Sequence, residues 1–107
     1  MAWALLFVAG LFEVAWAVGL KYTDGFTKPL PTVLVVGAMI GSVWLLAIAL
    51  RTIPVGTGYA VWTGIGAVGT AILGMALFNE SRDILRILCI VLIVAGIVGL
   101  KLATPDA

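Results

Sequence analysis

Apolar residues run along this chain in four long blocks, Ala2 to Leu20, Pro31 to Leu50, Pro54 to Phe78 and Ile84 to Leu102, separated by short polar punctuation. A helix that crosses a bilayer takes roughly 20 mostly apolar residues, and each block can supply one. The first connection, Lys21-Tyr-Thr-Asp-Gly-Phe-Thr-Lys-Pro-Leu, holds charges, Gly25 and Pro29, the chemistry of a helix end and a turn. The second is only Arg51-Thr-Ile, with Pro54 opening the next helix, where its missing N–H costs nothing. The third, Asn79-Glu-Ser-Arg-Asp, offers Asp83 as an N-cap. Loops this short make successive helices antiparallel neighbours. The pattern therefore predicts an all-α membrane protein, one transmembrane domain over residues 1–107, with helices about 2–20, 31–50, 54–78 and 84–102.

Composition agrees and narrows the field. Of 107 residues, 64% are hydrophobic and 10% charged, so lipid rather than water is the expected solvent, and four spans leave no room for a soluble domain. Net charge is +1 with no histidine, which argues against nucleic-acid binding, a polybasic lipid patch or a histidine-ligated metal. The single Cys89, inside the apolar run Ile87 to Val94, can neither close an intrachain disulfide nor build a thiolate metal site alone; it is expected to be a small buried core residue. No cofactor is implied. The opening Met-Ala-Trp-Ala lacks a basic leader and cleavage region, so the first apolar block is expected to be retained. Basic residues divide as Lys21, Lys28, Arg82 and Arg86 on one side against Arg51 and Lys101 on the other, a lean weak enough to permit insertion in both orientations.

Small residues mark places where helices can approach. Gly37 and Gly41 do so in the second span, equally suited to packing within the chain. In the fourth span Ala95, Gly96 and Gly99 point to a contact between two copies, because a four-helix monomer has too little interior to enclose a polar solute path. The third span is rich in glycine, and Gly64-Ile-Gly66 near its middle suggests a bend used in alternating access, alongside close packing.

Four of the five acids, Asp24, Glu80, Asp83 and Asp106, fall in loops or the tail, which leaves Glu13 alone inside an apolar block. Counted from Ala2 it lies roughly 16 Å into a core about 30 Å thick. A charge there costs roughly 3 kcal/mol or more, and such residues usually mark ion, proton or substrate pathways. Helical spacing places Ala9, Gly10, Trp16 and Ala17 on the same face, while Tyr59, Trp62, Thr63, Gly66 and Thr70 form an aromatic and hydroxyl-bearing stripe on the third span. Ser42 is the one hydroxyl between Gly37 and Leu50. Carboxylate for charge, aromatic faces for cation–π contact and hydroxyls to orient the carboxylate together describe a cation site of Glu13, Trp16, Ser42, Tyr59 and Trp62. Tyr59 and Trp62 would otherwise be interfacial anchors, the role expected of Trp3 and Trp44, and Ser42 a packing hydroxyl. A buried acid that holds either a proton or a cation makes the two compete. If only loaded forms reorient, exchange is obligatory and an inward proton gradient drives cation export.

The residues Glu13-Val-Ala-Trp-Ala-Val-Gly-Leu-Lys21, then Gly25-Phe-Thr, then Pro54-Val-Gly-Thr-Gly-Tyr-Ala-Val-Trp-Thr-Gly-Ile-Gly66, resemble the small multidrug resistance family of bacterial transporters, over essentially the whole chain. Within that family the chain looks most like the guanidinium-exporter subtype, where a tryptophan follows the membrane glutamate by one turn, as Trp16 does. The resemblance implies an antiparallel homodimer in the bacterial inner membrane, two copies of Glu13 forming one site, and proton antiport. It places the substrate carboxylate on Glu13, its hydrogen-bonding partners on Ser42 and Trp16, lining aromatics on Tyr59 and Trp62, a bend at Gly64-Ile-Gly66 and the dimer contact at Ala95 to Gly99. Guanidinium suits such a site, since its planar N–H array meets a carboxylate bidentately as arginine does. Two other readings stay open: an exporter of quaternary ammonium or aromatic cations, and a proton-carrying proteolipid subunit of a larger complex. No residue pattern suggests an enzyme.

Overall fold

Hydrocarbon offers no water to a backbone amide, so an apolar block can cross it only with its own hydrogen bonds closed, as a helix. The computed structural model describes residues 1–104 and, among them, four such helices: α1 (Ala2–Tyr22), α2 (Pro29–Ala49), α3 (Val55–Leu77) and α4 (Ile84–Ala103). Their lengths of 20 to 23 residues give about 30 Å or more at 1.5 Å per residue, the depth of the hydrocarbon core. Asp106, expected in the tail, lies outside the described residues.

The ends differ in detail from the spacing. The first helix continues through Tyr22, and the second begins at Pro29, two residues ahead of Pro31, because both prolines fit a first turn whose N–H groups lack helical partners. Pro54 and Asp83 occupy the N-cap positions of α3 and α4, and neither makes a side-chain cap bond. Between α1 and α2 the chain turns through left-handed backbone at Asp24, Gly25 and Phe26. Buried Thr23 holds that turn: its hydroxyl donates to the Leu20 carbonyl at 2.8 Å and accepts the Phe26 N–H at 3.1 Å. Glycine tolerates such a φ at no steric cost, which locates Gly25 in the turn.

α1 is the central element, packed between α2 and α3, while α4 lies outboard against α3. The core is small and sits where α1, α2 and α3 meet, built from Leu6, Ala9, Leu46, Ala49, Ile53, Val61 and Trp62. The result is a slab of 43 × 34 × 17 Å. One seam joins α4 to it: Gly64 lies under Ile97 and Ile93, where a Cβ would collide. No residue of α4 is buried. Cys89 is accordingly exposed, contrary to the expectation of a core residue. An apolar run reads the same whether protein or lipid covers it, and here Cys89 sits on a helix that the rest of the chain does not enclose. Ala95, Gly96 and Gly99 are exposed on this helix too, with open space at both glycines.

At one end of the slab Lys21 stands over the Phe78 ring, 5.3 Å from its centroid, and Tyr22 packs tilted against the same ring at 5.7 Å. At the other end Lys101 lies 4.8 Å over Trp3. Trp44 is the exposed tryptophan of the pair expected to anchor the surface, whereas Trp3 is partly buried against the core with Lys101 over its ring.

Candidate functional site

Glu13 is carried on α1 at a level where α3 presents Gly66, and its carboxyl lies directly against that glycine: a Cβ on Gly66 would fall on the Glu13 side chain. The neighbouring turns show the same fit, with Gly10 under Ile65 and Gly69 under Val14. Glycine is therefore what lets α3 come close enough to cover the acid. Glu13 Oε1 is buried and has no hydrogen-bond partner, and the indole nitrogen of Trp16, one turn along, is buried and unpartnered as well. A carboxyl oxygen in that state costs about 1–3 kcal/mol or more unless a proton or a cation satisfies it.

Ser42 is fully buried, but its bonds go elsewhere than to the acid. Its hydroxyl donates to the Ala9 carbonyl at 2.7 Å and accepts the Trp62 indole N–H at 3.0 Å. The expected Ser42 and Trp16 hydrogen bonds to Glu13 are thus not made in this structure. Ser42 instead knots α1, α2 and α3 together one helical turn from Glu13, where the approach of three helices sets its partners. Tyr59 packs tilted on Trp62 at 5.5 Å between ring centroids and is itself exposed. Thr63 is also exposed, so the stripe on α3 narrows to Trp62, Gly66 and Thr70 where it faces α1. Across Gly64 and Gly66, both buried, α3 runs unbroken.

The knot has a measurable worth. Replacing Ser42 by alanine strands the Trp62 N–H and removes a donor from the Ala9 carbonyl, a loss of about 1–2 kcal/mol for a buried polar bond between membrane helices. Thermal unfolding of the detergent-solubilised Ser42→Ala protein should show a lower midpoint than the parent. An unchanged midpoint would mean that the bond contributes nothing.

Comparison with known proteins gives this geometry a context. Residues 1–93 match the family described as Small Multidrug Resistance protein. A protein of Proteus vulgaris named Guanidinium exporter is 57% identical over 104 residues, covering 97% of this chain and 100% of its own. Proteins of that name from Yersinia pseudotuberculosis serotype I (strain IP32953) and Salmonella typhimurium are each 59% identical over 104 residues, at 97% of this chain and 100% and 99% of theirs.

Proposed function

The chain belongs to the small multidrug resistance family, and on that premise we propose that it is a proton-coupled antiporter exporting guanidinium and small guanidinyl cations. It is a multi-pass protein of the bacterial inner membrane and a transporter rather than an enzyme. The observation that carries the reading is the lone acid of the spans, Glu13, seated on Gly66 with a buried oxygen that nothing in the described chain satisfies. The name shared by the similar proteins supports guanidinium as the cation. A planar fork of N–H donors takes both carboxylate oxygens at once, which a quaternary ammonium lacks the hydrogens to do.

The site in this proposal comprises Glu13, Trp16, Ser42, Tyr59 and Trp62. Desolvation makes a bare carboxylate costly at this depth, so Glu13 is held either as the acid or as the partner of a cation. Protons and guanidinium then compete for one group, and loaded forms alone cross, which couples inward proton flow to outward cation flow. Two copies packed antiparallel through Ala95, Gly96 and Gly99 of α4 complete the chamber, and Gly64 and Gly66 supply the bend by which it opens to either side. Support for the pairing comes from α4, whose small residues are exposed although a membrane helix gains stability by close packing.

Purified protein in liposomes tests this. With an acidic exterior and a neutral interior loaded with labelled guanidinium, the imposed proton gradient should speed efflux severalfold, and external guanidinium should exchange with the label where tetrapropylammonium does not. Efflux indifferent to the gradient would reject the coupling. Exchange with tetrapropylammonium alone would reject guanidinium as the substrate and favour the quaternary ammonium reading.

A further inference from the structure

The face of α1 and α3 that holds Glu13 continues toward one end of the slab. On α1, Ala17 and Lys21 follow Glu13 at one-turn spacing; on α3, Thr70 and Gly74 follow Gly66 likewise, with Phe78 next in line at the C-cap. Between them lies a cavity of about 340 Å³, far larger than a guanidinium ion, whose lining includes Ala17, Thr70, Gly74, Phe78, Glu80 and Arg86. Its floor, Ala17 and Thr70, is one turn from Glu13. Its mouth is the connection between α3 and α4.

That connection folds back over the end of α3. Glu80 donates its backbone N–H to the Gly74 carbonyl at 3.3 Å, and Arg82 donates to the Met75 carbonyl at 2.9 Å. The Glu80 carboxylate thereby comes to rest on Gly74, where a Cβ would collide with it. Glu13 sits on Gly66 in the same way, eight residues or about 12 Å away along α3. Thr70 lies midway, and its hydroxyl is buried without a partner, although a helical threonine ordinarily bonds back to the preceding turn. Glu80 already holds a guanidinium: Arg86, in the first turn of α4, donates Nη2 to Oε1 at 2.6 Å, while its own Nε is buried and unpartnered. Both side chains of the pair are over a third exposed, and pairs so open to water exchange readily.

We propose that Glu80 is an outer station for the guanidinium cation on its way between Glu13 and water, and that the Arg86 side chain is a tethered competitor which the passing cation displaces. The inference rests on guanidinium being the substrate. Thr70 offers its free hydroxyl lone pairs to the cation's N–H groups between the two carboxylates. Lys21, the remaining charged group of the lining, is drawn to the Phe78 ring. Lys21 and Arg86 together make the surroundings of Glu80 net positive, so the station holds its cation weakly, as a point of departure must.

The full chain in liposomes, read by guanidinium-evoked current against concentration, separates this from a merely structural ion pair. Glu80→Gln should raise the half-saturating concentration and Arg86→Met should lower it, each by about twofold to fivefold, the worth of an exposed pair. The double variant should follow Glu80→Gln. Arg86→Lys, which keeps the charge but not the planar fork, should fall with Arg86→Met. If the pair only staples the connection to α4, both single changes remove the same bond and shift the current in the same direction, and the station is overturned. Unchanged half-saturation in both variants overturns it as well. Absence of both current and labelled-guanidinium uptake by the parent protein would instead reject guanidinium export itself, and the station with it.

Discussion

Glu13→Gln in liposomes should carry no guanidinium-evoked current, while the parent carries current whose half-saturating concentration rises as pH falls. The pH dependence has a definite sign. Acid converts Glu13 to the form that cannot pair with a cation, so protons raise the guanidinium concentration needed, and a carboxamide, which neither ionises nor titrates, has no such slope. Loss of two charge-assisted hydrogen bonds, each about 1.5–3 kcal/mol, lowers affinity by roughly a hundredfold or more. Calorimetric titration of the solubilised variant should accordingly register no binding at concentrations that saturate the parent. Equal currents from the two proteins would remove Glu13 from the mechanism.

The second large effect is expected at Gly66. Because a Cβ there would overlap the Glu13 carboxyl, Gly66→Ala must push the acid aside or prise α3 from α1. Overpacking of this kind costs about 1–3 kcal/mol, and with the carboxyl moved off its seat the guanidinium-evoked current should fall about tenfold or more. Gly56, in the first turn of α3, provides the control: it has open space around its Cα, so Gly56→Ala should leave current and thermal unfolding near parental values. Should Gly66→Ala transport as well as Gly56→Ala, the close seat of Glu13 is not functional.

How far the sequence reached is clearest residue by residue. Four spans were legible because a run of apolar side chains as long as a bilayer is deep has few other uses, and Glu13 was legible because a lone acid in such a run stands out against every neighbour. Gly66 and Thr70 could be placed on the correct face of α3 by spacing alone. What faces them could not, since the partner of a residue across a helix seam depends on crossing angle and axial offset, which leave no trace in periodicity. Ser42 shows the limit well. As an isolated hydroxyl it points to the site, yet its bonds to Ala9 and Trp62 depend on three helices meeting. Cys89 shows a different one: its apolar neighbours in sequence suggest burial, and hydrophobic company surrounds a residue facing lipid just as it does one in a core. Glu80 reads as an ordinary loop charge and Arg86 as a basic residue at the start of the fourth span, because the way the connection doubles back over Gly74 follows from backbone bonds at the helix end, not from any repeat.

The thinness of the molecule carries a consequence for how it tolerates change. At 17 Å deep, the chain is less than two helix diameters thick, and although α3 buries one oxygen of Glu13, its own polypeptide leaves the residue partly exposed. Under the proposed pairing, the missing wall is a second reading of the same gene. Each inherited alteration to a lining residue is then installed twice, once from either direction, and no variant can adjust the inward-facing half of the passage while sparing the outward-facing one.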